Sequence, residues 1–254
     1  MAIMSATSPF LIVKTGTAPV AIRERYGDFD DWFCRGLGER RFAYDVLAVD
    51  QGHALPDPAR TDDYTGVLIT GSPAMVSNRE DWSERTAAWL AAVHDRRRPI
   101  LGVCYGHQLL AHALGGRVGP NPFGRRMGTH PLCVTGGETP LLLHAADGMS
   151  AHSTHAEAVI EPPPGAHVLA TAEGDPHHVL HFGNLSWGVQ FHPEFDADIM
   201  RAYIQERRDV LQAEGFDSTR LCNQVTDVQL GTDLLGRFAN LCDGDEGKYH
   251  AVGT

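Results

Sequence analysis

No run of about 18 apolar residues occurs in the 254-residue chain, so no membrane-crossing helix is expected. Positive charge is scarce: 21 Lys and Arg stand against 32 Asp and Glu, a net charge of −11. Such a surface repels phosphate backbones and anionic lipid heads, which argues against nucleic-acid and membrane partners. Cysteine is sparse too. Five cysteines, an odd number scattered along a long chain, make no disulfide framework and point to a reducing compartment. Residues 9–22 (PFLIVKTGTAPVAI) lack a basic leader and are interrupted by Lys14, so no signal peptide is expected and the cytoplasm is the expected location. Internal repeats, low-complexity linkers and shifts of composition are also missing, which predicts one domain over 1–254. What is present, 43% hydrophobic residues and 21% charged, excludes a disordered chain and supplies a sizeable core.

Short apolar runs alternate with helical stretches, the pattern of an α/β protein with a mostly parallel sheet flanked by helices. Phe10–Val13, Tyr44–Val49, Val67–Thr70 and Pro99–Val103 read as strands. Residues 19–38 read as one amphipathic helix, with Ile22, Tyr26, Phe29 and Phe33 at helical spacing. Residues 81–97 read as another, N-capped by Asp81 and closed by Arg96–Arg98, whose charge offsets the helix dipole. From about Arg117 to Gln190 the pattern changes to short strands at 128–135, 155–160, 166–171, 178–182 and 186–191, the last three as an antiparallel meander. The chain is mostly helical from Asp198, with a break near Gly215. This gives a core at about 10–195 and a helical extension at about 196–245.

Two segments carry chemistry. Gly102-Val103-Cys104-Tyr105-Gly106 runs from a strand into a helix, a nucleophile elbow with cysteine at its apex. The thiol then sits at a helix N-terminus, where free N–H groups and the dipole favour thiolate, and the Tyr105 N–H is aimed at a developing oxyanion. The second segment is Trp187–Phe191, a strand that delivers His192-Pro193-Glu194 at its end. A carboxylate on one imidazole nitrogen leaves the other free to take the thiol proton, the Cys–His–carboxylate logic of acyl transfer.

Gly-Val-Cys-Tyr-Gly-His-Gln (102–108) together with Gly-Val-Gln-Phe-His-Pro-Glu (188–194) resembles the class I (triad-type) glutamine amidotransferases, most closely stand-alone proteins similar to the amidotransferase domain of GMP synthase. The resemblance covers roughly residues 10–195. It implies a flavodoxin-like fold with a smaller antiparallel sheet, Cys104 as nucleophile, His192 as general base and acid, and Glu194 as the residue that orients His192. It implies further that Gly71 and Ser72 form the oxyanion strand-end, with the Ser72 N–H as second donor. Gln108, Thr154 and His155 would contact substrate. Many members carry glycine where Ser72 stands, and Ser-His-Gly-Asp where this chain has Thr154-His155-Ala156-Glu157.

Other residues receive plainer readings. His177, His178 and His181 raise the question of zinc, but no cysteine or carboxylate stands at usual ligand spacing, so no metal and no cofactor are expected. His107 and His112 read as packing or polar-face residues, and Cys34, Cys133, Cys222 and Cys242 as buried thiols. Arg125-Arg126 read as part of a solvated loop sooner than as a carboxylate contact. The expected activity is hydrolysis of the γ-amide of glutamine through a Cys104 thioester, with ammonia passed to a separate synthase or ligase where one exists. The alternative is a γ-glutamyl peptidase acting on γ-glutamyl amines or peptides. A non-catalytic regulatory subunit on the same fold is the third reading, disfavoured by the intact Cys–His–Glu set.

Overall fold

The computed structural model describes residues 8–135, 141 and 149–244. The apolar runs near the start of the chain become parallel strands: β1 (Phe10–Lys14), β2 (Tyr44–Ala48), β3 (Val67–Ile69) and β4 (Ile100–Val103). They are connected by α1 (Val20–Tyr26), α2 (Phe29–Leu37) and α3 (Asp81–Asp95), and α4 (Tyr105–Ala113) follows β4 directly. Next come β5 (Arg117–Pro120), β6 (Arg126–Val134), β7 (Ser150–His155), β8 (Glu157–Glu161), β9 (His167–Ala172), β10 (Asp175–His181) and β11 (Ser186–Val189). The last elements among the described residues are α5 (Ala197–Glu206), α6 (Arg208–Ala213), α7 (Ser218–Gln224) and α8 (Leu230–Cys242).

The sheet of nine strands runs β2-β1-β3-β4-β11-β10-β9-β6-β7, and β5 and β8 form a separate antiparallel pair. Strands β2, β1, β3, β4 and β11 are parallel. The meander β9-β10-β11 and the β6-β7 hairpin continue the same sheet in antiparallel sense. Strand β1 shows why both faces are covered. Phe10 and Ile12 enter one core with Trp32, Phe33 and Phe238, while Leu11 and Val13 enter the other with Leu90 and Leu109.

Several boundaries differ from expectation. The stretch 19–38 is two helices, because Gly27 takes a φ of +88° and Asp28 starts a new capping box for α2. Asp28 and Asp30 are also held by the buried Lys14 ammonium at 2.7 and 2.6 Å, a tie between β1 and α2. Glu80, not Asp81, occupies the α3 cap position, and neither acid makes a side-chain cap bond there. The α3 helix stops at Asp95, and the following arginines are used singly, Arg96 against Asp62 and Arg98 on the Tyr64 carbonyl. The expected strand 155–160 is split at Ala156 between β7 and β8, which belong to different sheets. Strand β6 starts at Arg126, so that residue is in a strand and not in a loop.

The C-terminal helices pack on the rest of the chain. Leu230, Leu234, Leu235 and Phe238 of α8 are buried, with Phe238 edge-on to Phe10 of β1 and Leu235 against Gly36 of α2. Burying that face removes the apolar surface it would otherwise expose. Gly215 (φ +86°) marks the expected break between α6 and α7. No helix among the described residues is long and apolar enough to cross a membrane.

Candidate active site

The register of three parallel strands assembles the site. Ile69 of β3 pairs with Gly102 of β4, and Gly102 with Gly188 of β11. The residues that follow, Gly71-Ser72, Cys104 and His192, therefore leave the same carboxyl edge of the sheet, where α/β proteins place their ligands.

At the elbow the chain turns within one residue. Cys104 has φ 51° and ψ −100°, a conformation costing a side-chain-bearing residue about 1–3 kcal/mol. The turn is held by the Cys104 N–H donating to Val189 O at 2.8 Å and the Gly106 N–H to Thr70 O at 3.2 Å. Glycine is required on both sides. A Cβ on Gly102 would lie 2.5 Å from the Gly106 carbonyl oxygen, and one on Gly106 would lie 2.5 Å from that of Ile69. Cys104 Sγ is 3.9 Å from the Thr154 carbonyl oxygen. Tyr105 opens α4, so its N–H has no acceptor one turn back in the helix.

His192 is fixed from several sides. Its Nδ1 is 2.7 Å from Glu194 Oε1, and its backbone N–H donates to His152 O at 2.8 Å. Its ring stacks on Phe195 with centroids 4.2 Å apart, and Phe29 lies parallel at 6.3 Å on the same cluster. Gly71 makes the close approach possible, since a Cβ there would lie 2.9 Å from His192 Cε1 and 3.7 Å from Cys104 Cβ. Burial works against a charged imidazole, but the Glu194 carboxylate and Cys104 beside it outweigh that penalty and raise the His192 pKa to about 10.

A raised pKa has a defined sign in stability. The charged His192 contributes its full stabilisation below its ordinary value of 6.5, and that contribution declines as pH rises until it is gone near 10. Denaturant unfolding should therefore show stability falling from pH 7 to 10, and a Glu194→Gln variant should show a flatter profile. Equal slopes in the two proteins would contradict a charged His192.

Two clefts meet at Cys104. One is lined by Ser72, Tyr105, Gln108, Arg125, Thr154, His155, Glu157 and Arg207 among others. The second lies on the His192 side and includes Phe29, Thr154, Tyr203 and Arg207. Every residue expected at the site from the sequence is thus brought together, with Gly71 as the floor under His192 and Cys104. The Ser72 hydroxyl donates to the Thr15 carbonyl at 2.6 Å, which ties the serine to the end of β1. Gln108 spends its amide N–H groups on Glu157 O at 2.7 Å and Gln190 Oε1 at 3.0 Å. His155 donates Nδ1–H to Glu157 O at 2.9 Å, and burial lowers its pKa to about 4, so it is a neutral wall.

Sequence reasoning missed some of this lining. Arg125 is not solvated: its side chain is 12% exposed and makes a two-point pair with Glu214 at 2.8 and 3.0 Å. That partner lies 89 residues away, with no local signal to announce it. Cys133 is exposed, not buried, because its side of β6 faces outward. Cys34, Cys222 and Cys242 are partly buried, and burial pushes all three thiols up, Cys34 to about 11. His107 is a neutral packing residue, its pKa lowered to about 3 by burial, while His112 meets Glu84 at 3.1 Å.

The expected lack of a carboxylate near the histidines also needs correction. His178 Nδ1 is 2.8 Å from Asp175 Oδ2, and His155 Nε2 is 3.6 Å from the same oxygen, all three side chains buried. Among the described residues this is the group whose donor atoms, within 4.8 Å of one another, could hold a metal ion. His177 and His181 turn elsewhere, to the carbonyl oxygens of Val159 and Asn184.

A strained cysteine between a parallel strand and a helix, with a carboxylate-bound histidine just past the end of the neighbouring strand, defines an α/β scaffold suited to cysteine acyl chemistry. The sequence model described as "Glutamine amidotransferase class-I" matches residues 21–208, and the chain belongs to that family. Gamma-glutamyl peptidase 5 of Arabidopsis thaliana is 28% identical over 183 residues, covering 70% of this chain and 72% of that protein. A GMP synthase [glutamine-hydrolyzing] of Porphyromonas gingivalis is 33% identical over 178 residues, covering 70% of this chain but 28% of the synthase. A crystal structure of a glutamine amidotransferase from Thermotoga maritima superposes with a TM-score of 0.74 at 19% identity, over 92% of this chain and 98% of that one. These relatives place the mixed sheet and its helices in the amidotransferase fold.

Proposed function

We propose that the chain hydrolyses a γ-glutamyl amide bond, with glutamine as the simplest substrate and Cys104 as nucleophile. The observation that carries this reading is the strained Cys104 elbow set against His192, whose Nδ1 is held by Glu194 at 2.7 Å. Cys104 Sγ, as thiolate, attacks the γ-carbonyl carbon and forms a C–S bond. The developing oxyanion is met by the backbone N–H groups of Tyr105 and Ser72. The C–N bond breaks as the His192 imidazolium delivers its proton to the leaving amine, which is ammonia when the substrate is glutamine. Water then attacks the thioester, His192 takes the water proton, and glutamate leaves with Cys104 regenerated. The buried Glu157 carboxylate beside Gln108 supplies a counter-charge for the substrate ammonium.

The family's GMP synthase members suggest an ammonia-accepting synthase or ligase as the partner class. A second reading, hydrolysis of γ-glutamyl amines or peptides, is favoured by the second cleft, an opening on the His192 side of Cys104 apart from the Gln108–Glu157 cleft, toward which a leaving group can extend. The packing of α8 on its own chain supports turnover without a partner in either case.

Purified protein should release glutamate from glutamine or a γ-glutamyl peptide, and a glutamine-analogue electrophile should label Cys104. Labelling confined to the exposed Cys133, or turnover only after cell extract is added, would contradict this reading or its partner-free form respectively.

A further inference from the structure

The second cleft contains polar groups that nothing among the described residues satisfies. Tyr203 is 3% exposed, lines this cleft, and its hydroxyl has no hydrogen-bond partner. Arg207 follows one turn later at the C-terminal cap of α5, so both side chains fall on one face of the helix. The Arg207 Nε is buried and without a partner among the described residues, and Arg207 lines both clefts. A nearby acid that would neutralise it, Glu214, is already engaged by both donors of Arg125. A buried, unpaired guanidinium nitrogen and a buried, unpaired phenol side by side are costly unless something completes them.

Their position says what that something is. The attacked carbonyl lies at Cys104, the glutamyl half fits the cleft with Gln108 and Glu157, and the departing amine lies on the side of His192, which protonates it. The second cleft therefore receives the leaving group. Among the described residues, Arg207 is the one Lys or Arg lining it. Ammonia brings no anion for the guanidinium, whereas an amino acid or peptide brings a carboxylate that an arginine fork and a phenol O–H match.

Building on the γ-glutamyl hydrolase reading, we infer that Tyr203 and Arg207 form a leaving-group subsite that recognises a carboxylate on the released amine. The preferred substrates are γ-glutamyl amino acids and short γ-glutamyl peptides, ahead of glutamine itself. The two residues bind; they take no part in proton transfer.

The test compares two substrates that differ only in that charge, γ-glutamylglycine and γ-glutamylglycinamide, with purified full-length protein. The wild type should favour the acid in kcat/KM by about 10- to 100-fold, the range expected for hydrogen bonds to a charged group. Most of the difference should appear in KM. In Arg207→Met, which keeps the aliphatic stem, the acid-to-amide ratio should fall toward one, and Arg207→Lys should restore part of it. Tyr203→Phe should lower the ratio by a smaller factor. A merely structural role would depress both substrates together and leave the ratio standing. Equal wild-type rates on acid and amide, or an unchanged ratio in Arg207→Met, would overturn the subsite while γ-glutamyl hydrolysis survived. Absence of Cys104-dependent turnover of either compound while glutamine is hydrolysed would overturn the subsite alone, and absence of Cys104-dependent turnover of all three would overturn both readings.

Discussion

Cys104→Ala is expected to lower glutamate release from any γ-glutamyl substrate by about 10⁵- to 10⁶-fold, the scale on which a hydrolase loses turnover with its nucleophile. Alanine cannot form the thioester, and no other thiol can take over. Cys34, Cys222 and Cys242 have thiols pushed up by burial, and none lines either cleft at the sheet edge. The fold should survive the change. Alanine keeps the Cβ, so the strain at φ 51° is carried over unaltered, and the thiol is lost only as a weak donor to the Thr154 carbonyl at 3.9 Å, while the β6 pairing of β7 is untouched. Stability should shift by about 1 kcal/mol at most, read from the denaturant midpoint. A variant retaining a tenth of wild-type kcat would move the nucleophile elsewhere; one that failed to fold would show that the thiol is a packing residue.

The strength of that expectation follows from where the information sits. The Cys104 elbow and the His192-Pro193-Glu194 strand end are each local: five residues fix a strand–turn–helix, and three residues fix an imidazole beside a carboxylate. Both were legible in the sequence, and the parallel order β3-β4-β11 brings them together. The break in 19–38 was missed because apolar spacing continues through Gly27, whereas the capping box at Asp28 and the Lys14 contacts that separate α1 from α2 depend on a neighbouring strand.

Non-local assembly hid the rest. Asp175 and His178 stand three residues apart on β10, but His155 comes from β7, and no spacing rule joins it to them. Arg125 looks like a loop arginine until Glu214 from the end of α6 closes on it. Tyr203 reads as one more apolar residue of an amphipathic helix. In the structure it is core on its ring, where it stacks on Phe195 at 4.8 Å, and unsatisfied at its hydroxyl. Phe195 in turn stacks on His192, so one aromatic column joins α5 to the imidazole. The first helix after the sheet is thus a wall of the site.

The other large effect is expected at Glu194, and it separates orienting the imidazole from acting as one. His192→Ala removes the group that delivers and accepts protons and should cost about 10⁴- to 10⁶-fold in kcat. Glu194→Gln should cost less, about 10²- to 10⁴-fold, because the ring remains packed against Phe195 and Phe29 and only its electrostatic partner is changed. The side chain of Glu194 is buried, with Oε1 on His192 Nδ1 and Oε2 without a partner, so its charge acts on the imidazole at short range. A glutamine that presents its oxygen keeps the tautomer but loses the charge. One that presents its amide nitrogen forces the proton onto Nε2, where it blocks acceptance of the thiol proton. In both cases burial is left with less to oppose it, and the His192 pKa falls from about 10. The proton donated to the leaving amine is then lost at lower pH, so the alkaline limb of the kcat profile should move toward neutrality in Glu194→Gln. A wild-type rate, or an alkaline limb that stays in place while the rate falls, would remove the Glu194 charge from the mechanism.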